Sequence, residues 1–290
     1  MINMEGTSVT NFQVQVINLI KEYCGDKLTI KTFPFLLLLF PVIAVAIILK
    51  ITGQNFLVNY EDTKSACFIL VCTAIWTGLF NSSQIIVYER DNLKQRIATP
   101  HFDFASYLLA RTIIQFCLCV IQGGILSSYF ILASQKSGHK LPVNGQIMTD
   151  TIIELAIGII LILFAADAFG MLLSSFVKEG DKASAYMPYI LIAELIFSGT
   201  LFELKGSMKL VSDFMISHYG MATLGTTLNL NELKLKVQMT VPNFPHHAES
   251  LYKATDTHQS NTWWILGAFI VVELLLTYIG LKQIPRDGRR

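Results

Sequence analysis

The sequence predicts an all-α integral membrane protein. It should have six transmembrane helices, an amphipathic interfacial helix at the N-terminus and short re-entrant helices before the last span. Three observations carry this. Charged residues make up only 15% of the 290-residue chain, whereas a soluble domain needs about 25% to cover its surface. Hydrophobic residues reach 52% and mean hydropathy is +0.50. Six apolar stretches approach or exceed the ~20 residues that carry a helix across hydrocarbon. A net charge of +1 leaves no basic footprint for nucleic acid, and no tail carries a block of like charge.

The N-terminal segment, 1–32, contains Phe12, Val16, Ile20 and Tyr23 at helical spacing on one face. That pattern fits a helix lying in the membrane interface or packed on another protein surface. Its first apolar run comes too late for a signal peptide and lacks the basic lead and cleavage site. The membrane region 33–204 follows, with spans expected near 33–50, 65–87, 104–133, 150–176 and 183–204. Pro34 suits a first helical turn and Pro41 predicts a kink. The third stretch is long enough to tilt or project from the bilayer.

Residues 205–261 form the longest loop. Lys209, Asp213, His218 and Gly220 make 208–225 too polar for a lipid-facing span. One or two short helices dipping into the outer leaflet, shielded by protein, fit better. Pro242, Pro245, His246 and His247 mark a polar cap beyond it. The histidine pair is read as exposed loop, since no Cys or Glu-x-x-His partner accompanies it. The last span, in 262–290, opens with Trp263 and Trp264, which suit a membrane–water boundary. With the N-terminus in the cytoplasm, twelve Lys and Arg lie on short cytoplasmic flanks, among them Lys21, Lys27, Lys31, Arg286, Arg289 and Arg290. Four (Lys50, Lys64, Lys136, Lys140) lie outside. Both termini are therefore expected inside.

The five cysteines, Cys24, Cys67, Cys72, Cys117 and Cys119, are read as reduced small hydrophobes. No stretch matches a phosphate-binding Gly-x-x-x-x-Gly-Lys-Ser/Thr loop, a Gly-x-Ser-x-Gly elbow, a His-Glu-x-x-His helix or a dinucleotide fingerprint. The chain is expected to have no catalytic residues, metal or cofactor of its own.

Three pieces of text go further. Ala74 to Ser83 run through Trp76, Gly78, Phe80 and Asn81 into Ile85-Ile86-Val87-Tyr88-Glu89-Arg90. Gly170 to Lys178 precede Ala183 to Pro188, and Leu195-Ile196-Phe197-Ser198-Gly199-Thr200-Leu201-Phe202 follow. In that order the chain resembles type-2 ABC transporter permeases, the group that includes ABCG-like exporters. It is most similar to bacterial permease domains fused to their ATPase. It departs from them by lacking the ATPase and by reading Asn92-Leu93-Lys94-Gln95-Arg96-Ile97 where a Lys/Arg-Arg-Glu run is usual.

The resemblance implies a plasma-membrane export permease that pairs with a second copy or a related chain. A separate ABC ATPase, carrying ATP and Mg, would dock on its cytoplasmic side. The segment near 88–101 would then be a coupling helix, with Glu89, Arg90, Asp91, Lys94 and Arg96 meeting the ATPase. Without the resemblance those charges read as a solvated positive-inside loop. The substrate expected from family habit is a lipid, peptide or drug-like amphiphile.

Asp167 and Glu194 sit mid-span, where a charge costs ~3 kcal/mol on insertion scales. Together with Ser198, one turn beyond Glu194, and Asn81, they are candidates to line the substrate pathway or dimer interface. For Glu194 the alternative reading is an interhelical hydrogen bond from a protonated carboxyl, and Asn81 and Ser82 are read as bonding between helices rather than binding substrate. Glu273 is read as inward-facing packing and Arg111 as snorkelling to the interface. Two rival functions remain at this stage. One is a non-transporting sensor or scaffold that relays ATPase motion outward. The other is an intramembrane enzyme using Asp167 and Glu194, which no known spacing supports.

Overall fold

The computed structural model describes residues 4–29, 32–97, 102–200, 206–240 and 248–284, with side chains over 12–23, 25, 38–97, 102–200, 206–236 and 248–284. The readings that rest on Cys24, Lys27, Lys31, Pro34, Leu201, Phe202, Pro242, Pro245, His246, His247, Arg286, Arg289 and Arg290 concern side chains outside those limits.

Helix starts follow local sequence. Asn59, Asp103, Asp150 and Thr255 each stand just before a helix and accept a hydrogen bond from a backbone N–H of its first turn, as N-cap side chains do. The resulting helices are α3 (Tyr60–Ser82), α5 (Phe104–Ser137), α6 (Thr151–Phe176) and α11 (Asp256–Leu281). α5 stops where Gly138 adopts φ 74°, a conformation glycine reaches without strain. Ahead of them lie α1 (Met4–Thr29) and α2 (Thr32–Ile51), the latter continuous through Pro41. Between them lie α4 (Ile85–Ile97) and α7 (Gly180–Phe197). α8 (Ser207–Ser212), α9 (Ile216–Thr227) and α10 (Leu230–Thr240) precede a single 3₁₀ turn at Ser250–Tyr252. No strand occurs among the described residues.

Among the described residues four helical segments are long and apolar enough to cross a membrane: Tyr60–Tyr88, which runs through the turn between α3 and α4, Phe104–Ser137, Thr151–Phe176 and Asp256–Leu281. The protein is therefore a multi-pass, all-helical membrane protein. The described apolar part of α2, Leu38–Ile51, is shorter. α7 ends at Phe197 and includes Pro188. The last span begins at Asp256 rather than near Trp263, because the Thr255 cap sets the start.

α6 is the central element, packed against α3, α5, α9 and α11. Its closest neighbour is α3. A Cβ at Gly78 would run into the Leu163 carbonyl, and one at Gly170 would meet the Ser82 hydroxyl. Small residues let membrane helices approach to this distance. α2 is fixed to α5 at one end: Lys136 Nζ donates to the carbonyls of Leu49 and Thr52 at 2.5 and 2.7 Å. The Thr52 and Tyr129 hydroxyls lie 2.9 Å apart.

Candidate functional site

α4 is built as a separate lever. α3 stops at Ser82, and the chain turns at Ser83 and Gln84 before α4 begins. The Ser174 hydroxyl of α6 accepts from the Ile86 and Val87 amides at 3.0 and 3.1 Å, capping the new helix. In return Arg90, 6% exposed, donates to the Val177 carbonyl at 2.8 Å and the Ser175 carbonyl at 3.4 Å. Those carbonyls end α6 and have no partner within it. Arg90 is thus a clamp between two helices.

Glu89 also points inward. It pairs with Arg111 of α5 and accepts from the Tyr107 hydroxyl at 2.7 Å. The Arg111 guanidinium lies 3.4 Å over the Tyr23 ring of α1. Arg96 pairs with Glu22 of α1, one contact being 3.1 Å. That neighbour holds the Glu22 carboxyl below its usual value, first by hydrogen bonding and then by charge, against a desolvating push upward. Around these groups lies an open recess of about 150 Å³. Asp91 and Lys94 face away and pair with one another at 3.0 Å, their side chains 89% and 44% exposed. Of the charges expected to meet a partner, Glu89 and Arg90 hold the fold, while Asp91, Lys94 and part of Arg96 remain at the surface.

Inside the bundle, Asp167 of α6 is fully buried. Gln115 of α5 donates to its Oδ1 at 2.9 Å, and the Ser82 hydroxyl donates to its backbone carbonyl at 2.5 Å. Asn81 of α3 and Gln122 of α5 exchange amide hydrogen bonds at 2.6 and 3.2 Å. These side chains join α3, α5 and α6 through a polar seam. Gln115 and Gln122 were not singled out from sequence, although two glutamines one heptad apart in an apolar stretch are a usable signal.

Glu194 makes interhelical hydrogen bonds, the alternative to a pathway role, but as an acceptor rather than as the donating protonated carboxyl expected. Its carboxyl group accepts from the Ile216 and Ser217 amides at 3.3 and 2.8 Å, and the Ser217 hydroxyl donates to the Glu194 carbonyl at 2.6 Å. It caps α9 from another helix, where the orphan amides and helix dipole favour an anion. Ser198 stays local, donating to the Leu195 carbonyl at 2.9 Å. Asp167 and Glu194 take separate partners and form no pair. A cavity of about 160 Å³ is lined by Glu194, Glu273 and the side chains of Phe169, Ile190, Phe214 and Met215, among others.

At the opposite end from α4, two carboxylates organise the loops. Glu154 accepts from the Ile147 and Met148 amides at 2.8 and 3.0 Å and from the Thr227 hydroxyl at 2.6 Å. Glu249 accepts from Tyr60, from Lys234 at 3.0 Å and from Lys64 at 3.4 Å. Burial works to raise the Glu249 carboxyl, but the Tyr60 hydroxyl and the two ammonium groups outweigh it and bring it below its usual value.

Among the described residues no three His, Cys, Asp or Glu converge to hold a metal. What the arrangement offers is mechanical: a short charged helix at one end of the bundle, clamped to its central helix. A family model described as ABC-2 type transporter matches residues 15–224. No curated protein matches the chain.

Proposed function

The chain belongs to the ABC-2 type transporter family, and on that premise we propose that it is the permease subunit of an ATP-driven exporter. A separate ABC ATPase, binding ATP and Mg, docks beneath α4. A second copy or a related chain completes the pathway. α2 and α7 serve as the two shorter spans of a six-span bundle, and α8 and α9 form a re-entrant pair shielded by α3, α6 and α11. The α4 end is cytoplasmic, as are both termini. The substrate is an apolar or amphiphilic molecule, and access alternates by rocking of the two halves.

The observation that carries this reading is the seating of α4. Arg90 and Ser174 tie it to α6, while Asp91 and Lys94 stay free of the bundle at its outer surface. A partner that pushes on α4 therefore moves α6 directly. The re-entrant reading rests on Glu194. It lies on α7 and holds the first turn of α9, while the last turn of α9 reaches Glu154 at the other end of α6.

The test is reconstitution. The chain is co-expressed with a candidate stand-alone ABC ATPase and placed in lipid vesicles. Substrate-stimulated ATP hydrolysis with net translocation is expected. The double charge reversal Asp91→Lys with Lys94→Glu should lower stimulated hydrolysis at least tenfold while leaving assembly of the permease intact. Stimulated hydrolysis without translocation would instead assign a non-transporting relay.

A further inference from the structure

The cavity beside Glu194 carries chemistry that a passive packing defect does not. Its wall is largely apolar, with the aromatic rings of Phe169 and Phe214. Among the described residues two carboxyl groups line it and no basic residue does. Both oxygens of Glu194 are engaged by backbone amides of α9. Glu273 differs: it is only 8% exposed, and its Oε2 has no hydrogen-bond partner among the described residues. A buried carboxyl oxygen without a partner is costly to keep. Phe214 is 74% exposed, so one wall opens toward the surface.

We propose that this cavity binds the ammonium head of a lipophilic amine, with Glu273 as its counter-ion. An ammonium group donates the hydrogen bonds that Glu273 lacks and is attracted to aromatic faces. Its hydrocarbon part lies along Ile190, Phe169 and Phe214, matching a pocket that is mostly apolar with few placed polar groups. A hard inorganic cation fits poorly, because it requires six or more oxygen ligands and the lining carboxylates fall short of that. The site lies between α6, α7, α11 and the start of α9, within one chain, so a single copy suffices to form it. As a statement of substrate class it rests on the permease reading; as a binding site it does not.

The experiment uses the full chain in lipid nanodiscs, with empty nanodiscs as the blank. Octylammonium and 1-octanol are titrated calorimetrically. Saturable binding of one octylammonium per chain is expected, with no saturable binding of octanol. Glu273→Gln keeps the shape and should weaken octylammonium at least tenfold, and its melting temperature shows whether the fold is intact. Phe214→Ala, at an exposed position, should weaken it several-fold as a second reading. Equal saturable binding of octanol, wild-type affinity in folded Glu273→Gln, or equal competition by potassium would each overturn the proposal. Binding as expected, with no translocation in the vesicle assay, would sink the permease reading and leave the site standing.

Discussion

Arg111 and Glu89 illustrate how a charge survives at the rim of a bundle. Their side chains are 8% and 26% exposed, so neither is solvated alone. Removing Arg111 leaves Glu89 without its cation, though partly exposed and still bonded to the Tyr107 hydroxyl. Arg111→Ala is expected to cost about 1.5–3 kcal/mol, the range for a charge-assisted hydrogen bond, and to lower the melting temperature in detergent. In the double variant with Glu89→Gln the loss should be smaller than the sum of the single losses, read from a double-mutant cycle. Glu249 gives a pH signature. Its carboxyl is held below its usual value, so the carboxylate stabilises the cap above the ordinary carboxylate range and this is lost as pH falls through the lowered native value. The melting temperature of the wild type should therefore fall more steeply below about pH 4 than that of Glu249→Gln. The sequence marked Glu194 as noteworthy because charges in apolar text are rare, and Glu89 through the family resemblance of the charged turn it belongs to. It did not reveal their partners, since Arg111 lies on another helix and Ser217 is 23 residues away.

At the scale of elements, helix positions were largely legible because caps and apolar runs are local signals. The stretches at 104–133 and 150–176 reappear as α5 and α6, started by Asp103 and Asp150. The break between α3 and α4 was less legible: the stretch 65–87 reads as one span, although the polar run Asn81-Ser82-Ser83-Gln84 falls on the break. It is set by Ser174, which supplies a cap from α6. α9 depends likewise on a distant residue. Glu194→Ala should speed hydrogen exchange at the amides of 216–219, with a cost of about 1 kcal/mol typical of a lost cap. Exchange rates unchanged from wild type would show that α9 starts without it. Gly78→Leu tests the α3–α6 contact, since its side chain meets the Leu163 backbone. Severe loss of folded protein by size-exclusion chromatography is expected.

For the whole molecule, the two ends differ in kind. One carries α4 with its exposed Asp91 and Lys94. The other carries the Glu154 and Glu249 loops, near which Val143 stands 85% exposed. With the α4 end inside, a membrane-impermeant thiol reagent on intact cells should label Val143→Cys and spare Asp91→Cys until the membrane is opened. The reverse pattern would invert the proposed orientation.

α6 is held at both of those ends. Arg90 grips its last carbonyls, and Glu154, in its first turn, fastens to the 147–148 backbone and to α9. A tie-rod anchored twice has no slack in which to absorb a stroke. On the proposed orientation, a push on α4 would travel along it to the far side of the membrane and reach the loops fastened by Glu154 first.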